Sequence, residues 1–172
     1  MGLFDKIKGA LSAPDHTETL RARVGDDGFQ GYAAVMASAT EDTGPKKSVR
    51  DLTDLAQKGA HKLIDGAVQN RHIGGDEGSI GRSMPRTAEP MLLALSERSV
   101  TLWRFRFGAK KTDPDLVVRI PREQVTSIEA TGKRTARGHV RLSFADGSFF
   151  DEQLLSEPAA EFWAAADGSA SA

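Results

Sequence analysis

The chain has 172 residues, of which 39% are hydrophobic and 27% are charged, and it contains no cysteine. This length and composition predict one folded domain, or a small domain with an N-terminal extension, and not a disordered chain. The lack of cysteine excludes disulfides, thiol catalysis and thiolate metal sites. Because the net charge is only −1, no overall charge draws the chain towards nucleic acid or a membrane.

The charges are unevenly distributed along the sequence. Residues 98–141 contain eleven Lys or Arg and four Asp or Glu, an excess of seven positive charges. Residues 142–172 contain six acidic residues and no Lys or Arg. This split predicts a basic face and an acidic end, although a charge-rich stretch is most often only a solvated surface.

The first segment, residues 1–12, predicts an amphipathic helix with an apolar stripe on one face and lysines on the other. Such a helix lies in a membrane interface, or docks on its own domain or on a partner subunit. Its expected contact residues are Leu3, Phe4, Ile7 and Leu11. No apolar run approaches the roughly 20 residues that span a bilayer, so we expect a cytoplasmic protein, either free or attached peripherally to a membrane.

The N-terminal region, residues 13–70, contains two predicted elements. A strand is predicted at Tyr32 to Ala37. A helix is predicted over residues 48–70, because Ser48 offers an N-cap and apolar residues follow it at helical spacing. Residues 71–87 are rich in Gly and Pro, so we expect a connector there and a domain boundary within it.

Two motif-like stretches of this connector do not predict an enzyme. Gly74-Gly75-Asp76-Glu77 resembles the signature of diguanylate cyclases, but Gly78 replaces the aromatic residue that completes it. Residues 75–83 lack the first glycine and the lysine of a phosphate-binding loop, because Asp76 and Arg82 stand at those positions. We therefore interpret these residues as a connector whose backbone N–H groups contribute to packing or contact a peptide.

The C-terminal half predicts alternating short strands followed by one helix. The strands are expected at residues 91–95, 100–107, 116–120, 125–130, 140–144 and 149–154. Asp146-Gly147 is typical of a two-residue hairpin turn between the last two strands. A helix capped by Ser156 should bury Phe162, Trp163 and Ala166 and end at Gly168. We expect residues 88–168 to form a self-sufficient domain and residues 169–172 to fray.

The C-terminal half resembles a bacterial pleckstrin-homology-like (PH-like) domain, related in layout to the GRAM domain. Residues 92–103 resemble the first hairpin of such domains, and residues 120–128 resemble their "Ile-Pro, polar turn, hydrophobic strand" step. The Asp146-Gly147 hairpin and the helix with Phe162 and Trp163 match the end of the fold. The resemblance implies an α+β class: an open β-barrel or sandwich capped by a C-terminal helix, here preceded by a partly helical N-terminal region.

Members of this family bind phosphoinositides, bind peptides or act as scaffolds. The resemblance therefore implies a non-enzymatic adaptor that attaches to an anionic membrane or docks a protein partner. The expected anionic-surface residues are Arg104, Arg106, Lys110, Lys111, Lys133 and Arg134. The alternative is a scaffold that self-assembles or binds protein through its N-terminal helices, with no lipid ligand.

The sequence shows no catalytic constellation. The four histidines lack the spacing of a metal site, and no serine or carboxylate pair has the setting of a catalytic group. Trp103, Phe105 and Phe107 alternate with arginines, and a core-facing aromatic row explains this pattern more simply than base stacking. We expect no cofactor, no metal and no nucleic-acid partner.

Overall fold

The computed structural model describes residues 15–38, 71–105 and 114–168. Their helices are α1 Thr17–Val24, α2 Ile80–Ser83 and α3 Ala160–Asp167, with 3₁₀ turns at Gly25–Asp27 and Arg122–Gln124. Their strands are β1 Phe29–Ala37, β2 Ile73–Gly74, β3 Met91–Ser96, β4 Ser99–Arg104, β5 Asp115–Pro121, β6 Val125–Thr131, β7 His139–Phe144 and β8 Phe149–Leu154.

These strands form one antiparallel sheet in the order β5-β4-β3-β1-β8-β7-β6, with β2 paired to β8 outside this path. The sheet is open, because β5 and β6 stand at its two ends. The α+β class and the C-terminal helix are confirmed. The predicted strands of the C-terminal half are also confirmed, to within a few residues at their ends.

The strand predicted at residues 32–37 is confirmed, and it occupies the centre of the sheet. Its first half pairs with β3, and its last residues pair with β8. Val35 lies opposite both Met91 of β3 and Leu154 of β8. The sheet therefore extends beyond the range 88–168 expected for the domain, and a boundary at residue 88 would separate it from its central strand.

The larger hydrophobic core lies between one face of the sheet and α3. The strands contribute alternating apolar residues such as Val35, Leu93 and Leu142, all buried, and α3 contributes Phe162 and Trp163. Trp163, the expected anchor of the last helix, is 8% exposed. The helix can pack closely on β1 because residue 31 is glycine. A Cβ atom there would lie only 2.9 Å from the backbone of Phe162.

The opposite face of the sheet carries a smaller core beneath α1, a helix that the sequence did not predict. Leu20 and Val24 of α1 pack with Leu92, Ala94 and Trp103. Phe105 packs at the edge of this cluster, as the predicted aromatic row requires, whereas Phe107 lies outside the described residues. Both faces of β3 are consequently buried.

The segment from β2 to α2, predicted as a connector, is fastened to the β7–β8 hairpin. The Asp146 carboxylate accepts the Ile80 N–H at 2.7 Å, and the Ser148 hydroxyl accepts the Gly81 N–H at 2.9 Å. Hydrogen bonds to the Asp146 carboxylate, first from the Ser148 hydroxyl and then from the Ile80 N–H, lower the pKa of Asp146. Gly81 fits because a Cβ there would lie 2.6 Å from the Phe149 carbonyl oxygen. The backbone donors of this segment therefore serve packing.

The predicted two-residue turn at Asp146-Gly147 is wrong, because the loop has three residues. Phe144 N–H donates to the Ser148 carbonyl at 2.9 Å, and Gly147 has a φ of 80°. A two-residue loop would have placed Leu142 opposite Asp151, whereas the observed register pairs Leu142 with Phe150. Hydrophobic burial selects this register, because a shift by one residue exchanges the two faces of a strand.

The predicted N-cap at Ser156 is also wrong, because α3 begins at Ala160 after an extended Ala159. Pro158 disfavours helical backbone at Glu157, the residue before it. The helix begins only after the extended Ala159, and it carries Phe162 and Trp163 into the core. The described helices include none with the length and apolarity needed to cross a bilayer.

Candidate functional site

A cleft of about 960 Å³ opens at one corner of the molecule, where the β3–β4 turn, the Arg122–Gln124 turn, the start of β6 and the end of α3 meet. We call it the corner cleft. Its apolar lining comes from Val125, Ala164 and Ala165, and Thr126 borders it on the side of β6. Its remaining lining residues are Gln30, Glu97, Arg98, Arg122, Glu123 and Gly168.

Two arginines lie side by side in this cleft because a backbone hydrogen bond joins their turns. Arg122 N–H donates to the Arg98 carbonyl at 2.9 Å. Ser99 and Pro121 pair across β4 and β5 directly beside this bond. The turns are thus fixed by the sheet, and the two guanidinium groups start from neighbouring backbone positions.

The Arg122 side chain is held against the end of α3. Its Nη2 donates to the Ala165 carbonyl at 2.8 Å, and its Nη1 is buried without a hydrogen-bond partner among the described residues. Burial lowers the pKa of Arg122, because desolvation disfavours the charged guanidinium. The contact with a carbonyl near the helix C-terminus supplies partial negative charge, and no described carboxylate forms an ion pair with Arg122.

Arg98 is exposed, and its guanidinium has no ion pair in the described ranges. The Asp27 carboxylate does not pair with Arg98, because it accepts hydrogen bonds from Ser99 at 2.8 Å and from Arg119 at 2.7 Å. Glu97 and Glu123 also line the cleft, and neither forms an ion pair with a described residue. The cleft therefore presents uncompensated charges of both signs.

A second polar centre lies on the face of β7 and β8 that is opposite the larger core. Arg141 donates to both Asp151 oxygens, at 2.7 and 2.9 Å, and the His72 Nδ1 atom lies 3.0 Å from Asp151 Oδ2. Asp151 is buried, and His139 stacks on His72 with ring centroids 5.1 Å apart. Burial, followed by the nearby His72, lowers the pKa of His139.

This second centre has a structural role, because both oxygens of the Asp151 carboxylate are already bound by Arg141 and His72. His72 precedes β2 directly, so its contact with Asp151 holds β2 against β8. Arg141 also stacks on Phe149, with its guanidinium carbon 3.9 Å from the ring centroid. No serine or threonine hydroxyl is hydrogen-bonded to either histidine within the described chain, so the geometry offers no activated nucleophile.

Glu152 is the most unusual titratable residue of the described chain. It follows Asp151 but points to the opposite face, between the core residues Phe150 and Leu154. Its side chain is fully buried, and neither carboxylate oxygen has a partner among the described residues. Burial raises the pKa of Glu152 to about 8.

The predicted anionic-surface residues are only partly within the described chain. Arg104 forms an ion pair with Glu89 at 2.9 Å, and Arg134 pairs with Asp167 at 2.6 Å while its guanidinium stacks on Trp163. Lys133 is exposed and has no such partner in these ranges. Arg106, Lys110 and Lys111 lie outside the described residues, as do Leu3, Phe4, Ile7 and Leu11, the helices predicted at residues 1–12 and 48–70, and the tail 169–172.

The predicted separation into a basic face and an acidic end is wrong where the structure describes these stretches. Arg134 and Arg141, from the basic stretch, pair with Asp167 and Asp151 from the acidic one. Arg104 and Arg119 pair with acids from earlier in the chain, namely Glu89 and Asp27. These ion pairs neutralise part of the local positive charge, whereas Arg98, Arg122, Lys133 and Arg137 form no ion pair with a described residue.

The sequence did not predict the corner cleft, although the two turns that form it lie within residues 92–103 and 120–128, the stretches that resemble a PH-like domain. Recognising that both turns meet requires the pairing of β4 with β5, which local patterns do not reveal. The cleft contains no cluster of three metal-binding side chains, and neither does any other part of the described chain.

No protein-family model, no curated protein and no solved structure matches this chain.

Proposed function

We propose that this chain is a non-enzymatic docking protein of PH-like architecture that binds a protein partner in the corner cleft. The strand order supports the PH-like part of the proposal. β1, β3, β4 and β5 are successive antiparallel neighbours, β6 to β8 form an antiparallel meander, and α3 packs on β1 and β6. The observation that carries the function is the cleft itself. It combines an apolar lining, the first residues of the end strand β6, and two arginines that form no ion pair with a described residue.

The cleft suits an extended peptide better than a small molecule. It is partly open to solvent, and β6, whose first residues line it, has only β7 as a neighbour in the sheet. A strand at a sheet edge offers unpaired backbone N–H and C=O groups that a second chain can satisfy. Val125, Ala164 and Ala165 would contact its apolar side chains.

Filling the cleft should abolish this binding. Peptides selected from a random library on the full chain are expected to lose affinity for the Ala164→Trp variant by about tenfold or more, because the indole would occupy the cleft. Ala160→Trp is the matched control, since Ala160 is exposed on the same helix but does not line the cleft. Affinities are measured by isothermal titration calorimetry. Selected peptides that bind Ala164→Trp as well as the unchanged chain would overturn the proposed site.

A second candidate function, peripheral attachment to an anionic membrane, is favoured by the exposed loop between β6 and β7. That loop presents Lys133 to solvent, and the predicted amphipathic helix at residues 1–12 would add apolar contact. Each interfacial Lys or Arg contributes at most about 1 kcal/mol near an anionic leaflet. The ion pairs of Arg104 and Arg134 reduce this contribution, which is why partner docking is the first proposal.

Liposome co-sedimentation tests this second candidate. Attachment predicts that phosphatidylserine-containing vesicles retain the full chain at low salt and release it as salt rises. A chain that lacks residues 2–11, and vesicles of phosphatidylcholine alone, should show no retention. If the full chain stays in solution with anionic vesicles at low salt, the membrane function is excluded and partner docking stands alone.

A further inference from the structure

We infer that Arg98 and Arg122 form a carboxylate-binding site at the end of the corner cleft, so that the docked partner is an acidic extended peptide. This inference rests on the proposed function and adds the chemistry of the ligand. It begins from the backbone hydrogen bond of 2.9 Å between Arg122 and Arg98, which places the two arginines at neighbouring backbone positions.

Neither arginine of the cleft forms an ion pair with a described residue, although Glu97 and Glu123 line the same cleft. By contrast, Arg104, Arg119, Arg134 and Arg141 each form an ion pair. The cleft pair has none among the described residues, and Nη1 of Arg122 is buried without a partner. A bound anion would supply the missing charge and acceptor oxygens, because a guanidinium group binds planar oxyanions through paired N–H groups.

The surroundings select a carboxylate over a phosphate. Glu97 and Glu123 line the same cleft, and the C-terminal end of α3 lies against it at Ala164 and Ala165. Two carboxylates and the negative end of a helix disfavour a dianionic group more strongly than a monoanionic one. A peptide Asp or Glu side chain carries a single charge and fits the planar geometry of arginine.

The remaining lining determines how the rest of such a peptide lies. Thr126 and Val125 belong to the edge strand β6, and a peptide strand paired there would extend away from the arginines along α3. Alternate side chains of a bound strand face the same side, so apolar residues would contact Ala164 and Ala165 while the acid contacts the arginines. A segment of alternating apolar and acidic residues meets both requirements.

The test uses the full chain and a fluorescein-labelled octapeptide of alternating valine and glutamate, with binding followed by fluorescence anisotropy. Two further octapeptides carry glutamine or phosphoserine in place of glutamate. The glutamate peptide should bind about tenfold more tightly than the glutamine peptide, with a preference that weakens at high salt. The phosphoserine peptide should bind less tightly than the glutamate peptide.

Arg98→Gln should remove this preference for glutamate over glutamine, and Arg98→Lys should restore part of it. Lys133→Gln is the matched control, because it removes one exposed positive charge elsewhere. Arg98 is exposed, so its replacement should leave the far-ultraviolet circular dichroism and the melting temperature unchanged. Equal binding of the glutamate and glutamine peptides, a preference that survives Arg98→Gln, or tighter binding of phosphoserine would each overturn the inference.

Failure of this inference differs from failure of the proposed function. If library-selected peptides lose affinity for Ala164→Trp but contain no excess of acidic residues, the cleft binds peptides and the carboxylate site is excluded. If their affinity is unchanged by Ala164→Trp, both the docking function and the carboxylate site are excluded.

Discussion

A chain that begins at Thr87 is expected to be unfolded. It would lack β1, which lies between β3 and β8 and contributes Ala33, Val35 and Ala37 to the larger core. Without this strand the two halves of the sheet share no hydrogen-bonded neighbour, and the apolar faces of β3 and β8 lose their central contact. Thermal unfolding followed by circular dichroism should show no cooperative transition, and amide proton resonances should lack dispersion.

The matched control is a chain that begins at Asp15, which keeps every described element from α1 onwards. It is expected to unfold cooperatively, like the full chain. A cooperative transition in the chain that begins at Thr87 would instead show that β3 to β8 and α3 suffice for folding. That result would restore residues 88–168 as an independent domain.

The Glu152 carboxyl group is expected to make the protein less stable as pH rises from about 4.5 to about 8. Its pKa in the folded protein is raised to about 8, whereas its ordinary value is 4.5. Between these values the folded state holds a proton that the unfolded state has released. The free energy of unfolding therefore falls by up to about 1.4 kcal/mol per pH unit, and by roughly 4–5 kcal/mol over the whole interval.

Urea unfolding of the wild type and of Glu152→Gln at several pH values measures this effect. The difference in stability between the two proteins isolates Glu152 from His139, whose lowered pKa changes stability in the opposite direction. Glu152→Gln should gain stability relative to the wild type as pH rises towards 8. Glu129→Gln is the control at an exposed position of β6. Parallel pH profiles for the wild type and Glu152→Gln would contradict the raised pKa.

The local elements of this fold follow from its sequence, because alternation of apolar residues has the period of a strand. Val140, Leu142 and Phe144 alternate with polar residues, and all three are buried on one side of β7. The same pattern in Phe150-x-Glu152-x-Leu154 could have placed Glu152 in the core, since its neighbours two residues away are both buried. The strong periodicity of Phe150 and Leu154 outweighs the cost of one buried carboxyl group.

The global pairings did not follow from the sequence, because they join residues that are distant along the chain. The strand at residues 29–37 shows no local sign that it belongs with residues 91–96 and 149–154. The hairpin register was predicted wrongly because Asp-Gly is compatible with two loop lengths, and only packing against the core distinguishes them. The corner cleft requires both kinds of information, since it is formed by the β3–β4 turn and by the Arg122–Gln124 turn, which joins strands at the two ends of the sheet.

The position of β1 also determines how the chain can fold in time. Its contact with β8 joins Val35 to Leu154, so the central pairing of the sheet closes only when nearly the whole chain is available. During synthesis β1 can therefore pair only with β3, and its apolar face stays partly uncovered until β8 has been made. Sheets dominated by such distant pairings fold in milliseconds to seconds, much more slowly than helical bundles of similar stability.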